Sequence, residues 1–159
     1  MKLIFALCFS FLILGVSCKK DPVVETRSVL ELLTNNSTKT WQVKDGFAKQ
    51  GDVEVNLIAS QNPCVTDNQI VLGSDFSYSF LEGASKCSPD DPDLILQATW
   101  QLAADESSIT IDKFIFLGRT IDKPTFVLSS VTEATFSGTT TITVNGETFD
   151  VTVTFEQIK

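Results

Sequence analysis

Chemistry in this sequence rests on a short list of side chains. No histidine occurs in the 159 residues. That removes Ser-His and Cys-His nucleophiles and most zinc, copper and iron sites. Cysteines, carboxylates and aromatics remain. Cys64 and Cys87 flank one strand-turn-strand stretch. As a pair in an exported domain they are expected to form a disulfide that ties the strand before the stretch to the loop after it. Loop closure makes such a bridge worth about 3 kcal/mol. Two free thiols are the competing reading, and with Lys86 as the one close base a catalytic thiol is not expected. Ser88-Pro89-Asp90-Asp91-Pro92-Asp93 gathers carboxylates of the kind calcium takes, but the spacing fits no EF-hand and the prolines stiffen the loop, so it reads as a solvated acidic loop. Asp67 and Asp75 are the other candidate acid pair. No catalytic residue, metal site or cofactor is expected.

A fourth feature is Cys18. Lys2 supplies a positive charge, Leu3 to Val16 is apolar apart from Ser10, and the chain turns polar at Lys19, Lys20 and Asp21. A charged start, an apolar stretch and small residues before a cut make a secretory signal. The run is short of the ~20 apolar residues a spanning helix needs. With Cys18 directly after the cut, the segment resembles a bacterial lipoprotein signal, although Val16 stands where a small residue is usual. The resemblance implies cleavage before Cys18 and a lipid-modified Cys18 thiol. Acyl chains such as palmitate would then hold the protein to a bilayer at about 0.8 kcal/mol per buried methylene. An ordinary secretory signal with a chance cysteine is the alternative. The layout expected is a signal peptide at 1–17, an acylated cysteine and tether at 18–27, and one domain at 28–159.

Loss of the signal, with Lys2, leaves 11 basic against 20 acidic side chains, a net charge of −9. That disfavours nucleic acid and anionic membrane surfaces.

The elements that position these residues are nearly all strands. Ser28 with Glu31 predicts a capped short helix carrying Val29, Leu30, Leu32 and Leu33, ended by Asn35-Asn36. From Thr38 onward, β-branched and aromatic residues alternate with polar ones between turn signals. Strands are predicted at Thr40–Val43, Val53–Ile58, Gln69–Gly73, Phe76–Leu81, Ile95–Leu102, Ser108–Phe116 and Thr125–Ser129. The last hairpin turns on Asn145-Gly146. Folding there sets Ile142 opposite Phe149, Thr140 opposite Val151, Gly138 opposite Val153 and Phe136 opposite Phe155. The other face is polar, so the register is well specified. About eight strands on short links favour an all-β, antiparallel up-and-down barrel with a short N-terminal helix.

Lys39-Thr40-Trp41, then Cys64, Asp67 and Phe76-Ser77-Tyr78, then Ala98-Thr99-Trp100-Gln101-Leu102 with Asp105 and Ile109-Thr110-Ile111, and finally Val131-Thr132-Glu133 occur in order. This order resembles the lipocalin-like domain lipoproteins of Bacteroidetes over roughly residues 28–158. Ala98 replaces a usual glycine and Val131 a leucine. The resemblance implies a lipocalin-like barrel and a cell-envelope, outer-membrane location with the face undecided. It also implies a loose expectation of a small apolar ligand and no catalysis. Trp41, Tyr78, Phe80, Trp100 and Phe149 are the candidate ligand-lining residues, with plain core as the competing reading for the tryptophans. A filled barrel serving as an envelope protein-interaction module is the alternative function.

Overall fold

The computed structural model describes residues 27–159. The signal, Cys18 and residues 19–26 of the tether lie outside them. In chain order the elements are α1 (Val29–Thr34), β1 (Thr38–Gln50), β2 (Val53–Asn56), α2 (Pro63–Thr66), β3 (Gln69–Gly73) and β4 (Ser77–Leu81). Then come β5 (Leu94–Leu102), β6 (Ser108–Ile111), β7 (Lys113–Phe116), β8 (Arg119–Asp122), β9 (Thr125–Val131), β10 (Thr135–Val144) and β11 (Glu147–Gln157).

Eight of these strands close into a ring in the order β1, β3, β4, β5, β6, β9, β10, β11, with β11 pairing back onto β1. Every pairing is antiparallel. This is the expected up-and-down, lipocalin-like barrel. Closure gives each ring strand a neighbour on both sides. The last hairpin has the expected register, from Val144 opposite Glu147 to Phe136 opposite Phe155.

One end is closed by α1. Ser28 Oγ accepts from the Glu31 amide at 3.2 Å, and the Glu31 carboxylate accepts from the Ser28 amide at 3.0 Å. Together these form the capping box the sequence calls for. Asn35 ends the helix in the left-handed region at φ 53°. Arg27 joins this end through an ion pair with Glu133 at 2.6 Å. From here a chain of rings runs up the barrel. Trp41 meets Phe136 edge-on at 4.8 Å, Phe136 stacks on Phe155 at 4.5 Å, and Phe155 meets Phe114 at 6.3 Å. Aromatic pairs of this geometry fill the interior and add to its burial.

Several boundaries differ from the sequence reading. β1 runs well beyond Val43, because it bulges between Val43 and Asp45 and then gains β2 as a partner along Phe47–Gln50. β2 stops at Asn56, whose side-chain oxygen accepts from the Ile58 and Ala59 amides and turns the chain. Phe76, the first residue of a predicted strand, is not in a strand. It sits in the turn at φ 65°, 41% exposed, with its amide donating to Gly73 O. Cys64 is on the short helix α2, where Pro63 occupies the first turn, and not on a strand. Ser108–Phe116 is not one straight strand. It breaks at Asp112 into β6 and β7.

Candidate functional site

The break at Asp112 makes the site. The β6–β9 ladder pairs Ile109 with Phe126 and Thr110 with Thr125. The β7–β8 ladder resumes the same register with Lys113 opposite Asp122 and Phe114 opposite Ile121. Between them, Ile111 N donates to Pro124 O and Lys123 N to Asp112 O. β6–β7 and β8–β9 are therefore the two arms of one long hairpin, bent at Asp112 and at Lys123-Pro124. The bend changes the inward alternation. Ile109 and Ile111 face the core below it, and Phe114 and Phe116 above it. Lys123 has φ 47°, a left-handed conformation that suits such a corner. The upper half folds inward over the mouth and buries Phe114 against Phe126 at 5.2 Å. Gly46 on β1 leaves room for it, since a Cβ there would stand 3.2 Å from Phe116 Cζ.

Folding one hairpin inward leaves space on both sides of it. The first cavity, about 310 Å³, lies between β7 and the rim built from α2 and the 82–93 loop. Ile58, Ile70, Phe80, Ile95 and Phe114 make its apolar walls, and both Cys64 and Cys87 stand on it. The cysteines are bridged, with Cα atoms 5.1 Å apart. The disulfide thus ties α2 to the loop and fixes the rim. The second cavity, about 630 Å³, lies between β8 and β10, with Phe116 shared and Phe149 and Val151 beneath. Both volumes fall in the range of small-molecule sites, about 300–1,000 Å³.

Two carboxylates reach the first cavity, Glu82 and Asp91. Desolvation raises the Glu82 pKa first, and the charges of Asp91, Asp67 and Asp93 push the same way against Lys86. Asp91 Oδ2 accepts from the Ser88 amide at 2.7 Å, and Asp93 pairs with Lys86 at 2.6 Å. Asp91 and Asp93 are thus engaged separately. No group of three or more metal-binding side chains occurs among the described residues. Asp67 and Asp75 do not form a pair, because they stand at opposite ends of β3. Asp67 accepts from the Ser85 amide at 2.7 Å, and Asp75 from Ser77 Oγ at 2.6 Å.

Of the aromatics expected to line a ligand site, Phe80 lines the first cavity and Phe149 the second. Trp41, Tyr78 and Trp100 line neither and are fully buried core. Trp41 Nε1 donates to Leu33 O at 3.0 Å, and Trp100 Nε1 to Gly73 O at 3.1 Å. The indoles close the helix end of the barrel, away from the mouth. The Tyr78 hydroxyl is buried without a partner among the described residues, and burial pushes its pKa far up. The sequence reading missed Phe114 and Phe116. Their signal is the phase change in Ile109, Ile111, Phe114, Phe116, which no straight strand produces.

The chain matches no protein-family model and no curated protein. Among solved structures it is similar to bovine odorant binding protein in complex with a selenium-containing odorant. The two are 10% identical, the match covers 84% of this chain and 74% of that one, and the TM-score is 0.45. The same bovine protein complexed with its natural ligand gives 10% identity, 88% and 78% coverage and a TM-score of 0.43. A vaccine antigen, transferrin binding protein B from Haemophilus parasuis, gives 10% identity over 84% of this chain and 28% of that one, with a TM-score of 0.40. The barrel assignment here rests on the strand pairing itself.

Proposed function

We propose that this protein is a membrane-anchored lipoprotein whose barrel binds a small apolar ligand, without catalysis, in the cavity beside the Cys64–Cys87 bridge. The observation that carries the ligand reading is that cavity, about 310 Å³, with apolar walls and a covalently fixed rim. A preformed apolar site needs little reorganisation on binding, which favours affinity. The anchoring rests on the signal layout ending at Cys18, and the disulfide suits an envelope compartment.

Native mass spectrometry of the protein purified from its own envelope tests the ligand. A bound small molecule of defined mass, lost on Ile95→Trp, supports the reading. A clean apo mass together with no uptake of the apolar dye N-phenyl-1-naphthylamine overturns it. Labelling with alkynyl palmitate tests the anchor, and label that persists in Cys18→Ser rejects it.

The second reading is an envelope interaction module. It is favoured by the barrel axis, which Trp41, Phe136, Phe155 and Phe114 fill from the helix end to the mouth.

A further inference from the structure

The second cavity has walls of an unusual kind. It is lined by consecutive residues of two strands, Arg119 to Asp122 of β8 and Thr141 to Val144 of β10. Both strands show a free edge there. Among the described residues β8 pairs only with β7, and the β9 ladder reaches β10 no further than Thr139. Both hairpins turn on two residues with positive φ, Leu117-Gly118 and Asn145-Gly146. Such turns set the flanking residues as a hydrogen-bonded pair, with alternate residues bonded inward and outward from there. Counting from Arg119 and from Val144, the residues whose N–H and C=O point away from their hairpin partner are Thr120, Asp122, Thr141 and Thr143. None of them has another backbone partner among the described residues.

The complement of two facing strand edges is a third strand. We propose that the slot between β8 and β10 receives an extended polypeptide segment of a partner protein. Its main chain bonds Thr120 and Asp122 on one side and Thr141 and Thr143 on the other. The wall residues of each edge span about 14 Å at ~3.4 Å per residue, which fits four residues of an extended chain. Alternate side chains of the segment point down onto Phe116, Phe149 and Val151, so these are apolar. Charge selects the ends. Arg119 stands beside the Leu117-Gly118 turn and pairs with no carboxylate among the described residues. Asp122 stands at the other end of the same wall. The segment therefore carries an acidic residue toward Arg119 and a basic one toward Asp122. This site is separate from the disulfide-rimmed cavity and does not depend on a ligand there.

The test is fluorescence anisotropy of the purified protein with a fluorescein-labelled peptide, Lys-Thr-Val-Thr-Val-Asp. A second peptide of the same sequence carries N-methyl groups on alternate amides. Saturable binding of the first, at least tenfold weaker for the second, is the expected result. Thr141→Pro removes an N–H that β11 does not use, and lowers affinity at least tenfold with an unchanged circular dichroism spectrum. Arg119→Gln weakens binding several-fold and flattens its salt dependence. Equal binding of the two peptides overturns the proposal, and that comparison needs no variant to fold. So does a concentration-dependent dimer that Thr141→Pro abolishes while the peptide fails to bind, which assigns both edges to a second copy.

Discussion

Lys39 Nζ lies 4.4 Å from the centre of the Trp41 ring and donates to two carbonyls, Leu32 O at 2.8 Å and Glu133 O at 2.6 Å. One buried cation thereby joins α1, the first strand and the β9–β10 turn at the closed end. Burial lowers the Lys39 pKa, and the Arg27 charge does so further. The two hydrogen bonds and the ring face offset that cost. Lys39→Met leaves both carbonyls unpaired. We expect a loss of about 1.5–3 kcal/mol, the range for charged hydrogen bonds, read as a lower urea midpoint at unchanged m-value. A midpoint like that of the parent protein rejects this role.

The Cys64–Cys87 bridge restrains α2 and the 82–93 loop. Replacing both residues by serine is expected to cost about 3 kcal/mol by loop-closure arithmetic. Hydrogen exchange locates the effect, with faster exchange in residues 82–93 and an unchanged rate in β10 and β11. Equal loosening across the barrel would count against a rim-restricted role.

Gly138 faces inward on β10, and a Cβ there would lie 2.9 Å from Phe126 Cβ. Gly138→Ala forces β9 and β10 apart, at a cost of about 1–3 kcal/mol by overpacking. Thermal unfolding measures it. Gly138→Ala costs less in a Phe126→Gly background, which lacks that Cβ, if this contact is the cause.

Glu82 supplies a pH dependence. Its folded pKa is raised, chiefly by desolvation, so the folded state holds the proton more tightly than the unfolded one. Protonation therefore favours folding, and that stabilisation is lost as pH rises through the folded pKa. Glu82→Gln is expected to melt higher than the parent at pH 7. The difference should close below about pH 3, where the carboxyl is neutral in both states. A higher-melting parent at pH 7 has the wrong sign for this account.

The barrel was legible in the sequence wherever signals were local. Ser28 with Glu31 specifies the helix start, because a capping box is a contact within one turn. Asn145-Gly146 specifies the last hairpin to the residue, because that turn fixes its register and the apolar face fixes its side. The cysteine pairing was legible because Cys64 and Cys87 are the two cysteines between residues 28 and 159 and allow one bridge.

The site needed the tertiary structure. Alternation along a strand says which residues share a face, but not which end of a barrel they occupy. Trp41 and Trp100 are large, apolar and inward, as a ligand-lining residue would be, yet they lie toward the helix end, where backbone carbonyls take their indole N–H groups. Phe114 and Phe116 looked like ordinary strand residues, and only the bend at Asp112 brings them over the mouth. That bend depends on what the barrel leaves unfilled above Phe126 and Phe155, a distance between segments far apart in sequence. The same bend parts β8 from β10, so both cavities exist because a hairpin long enough to extend the wall folds inward to cover the core.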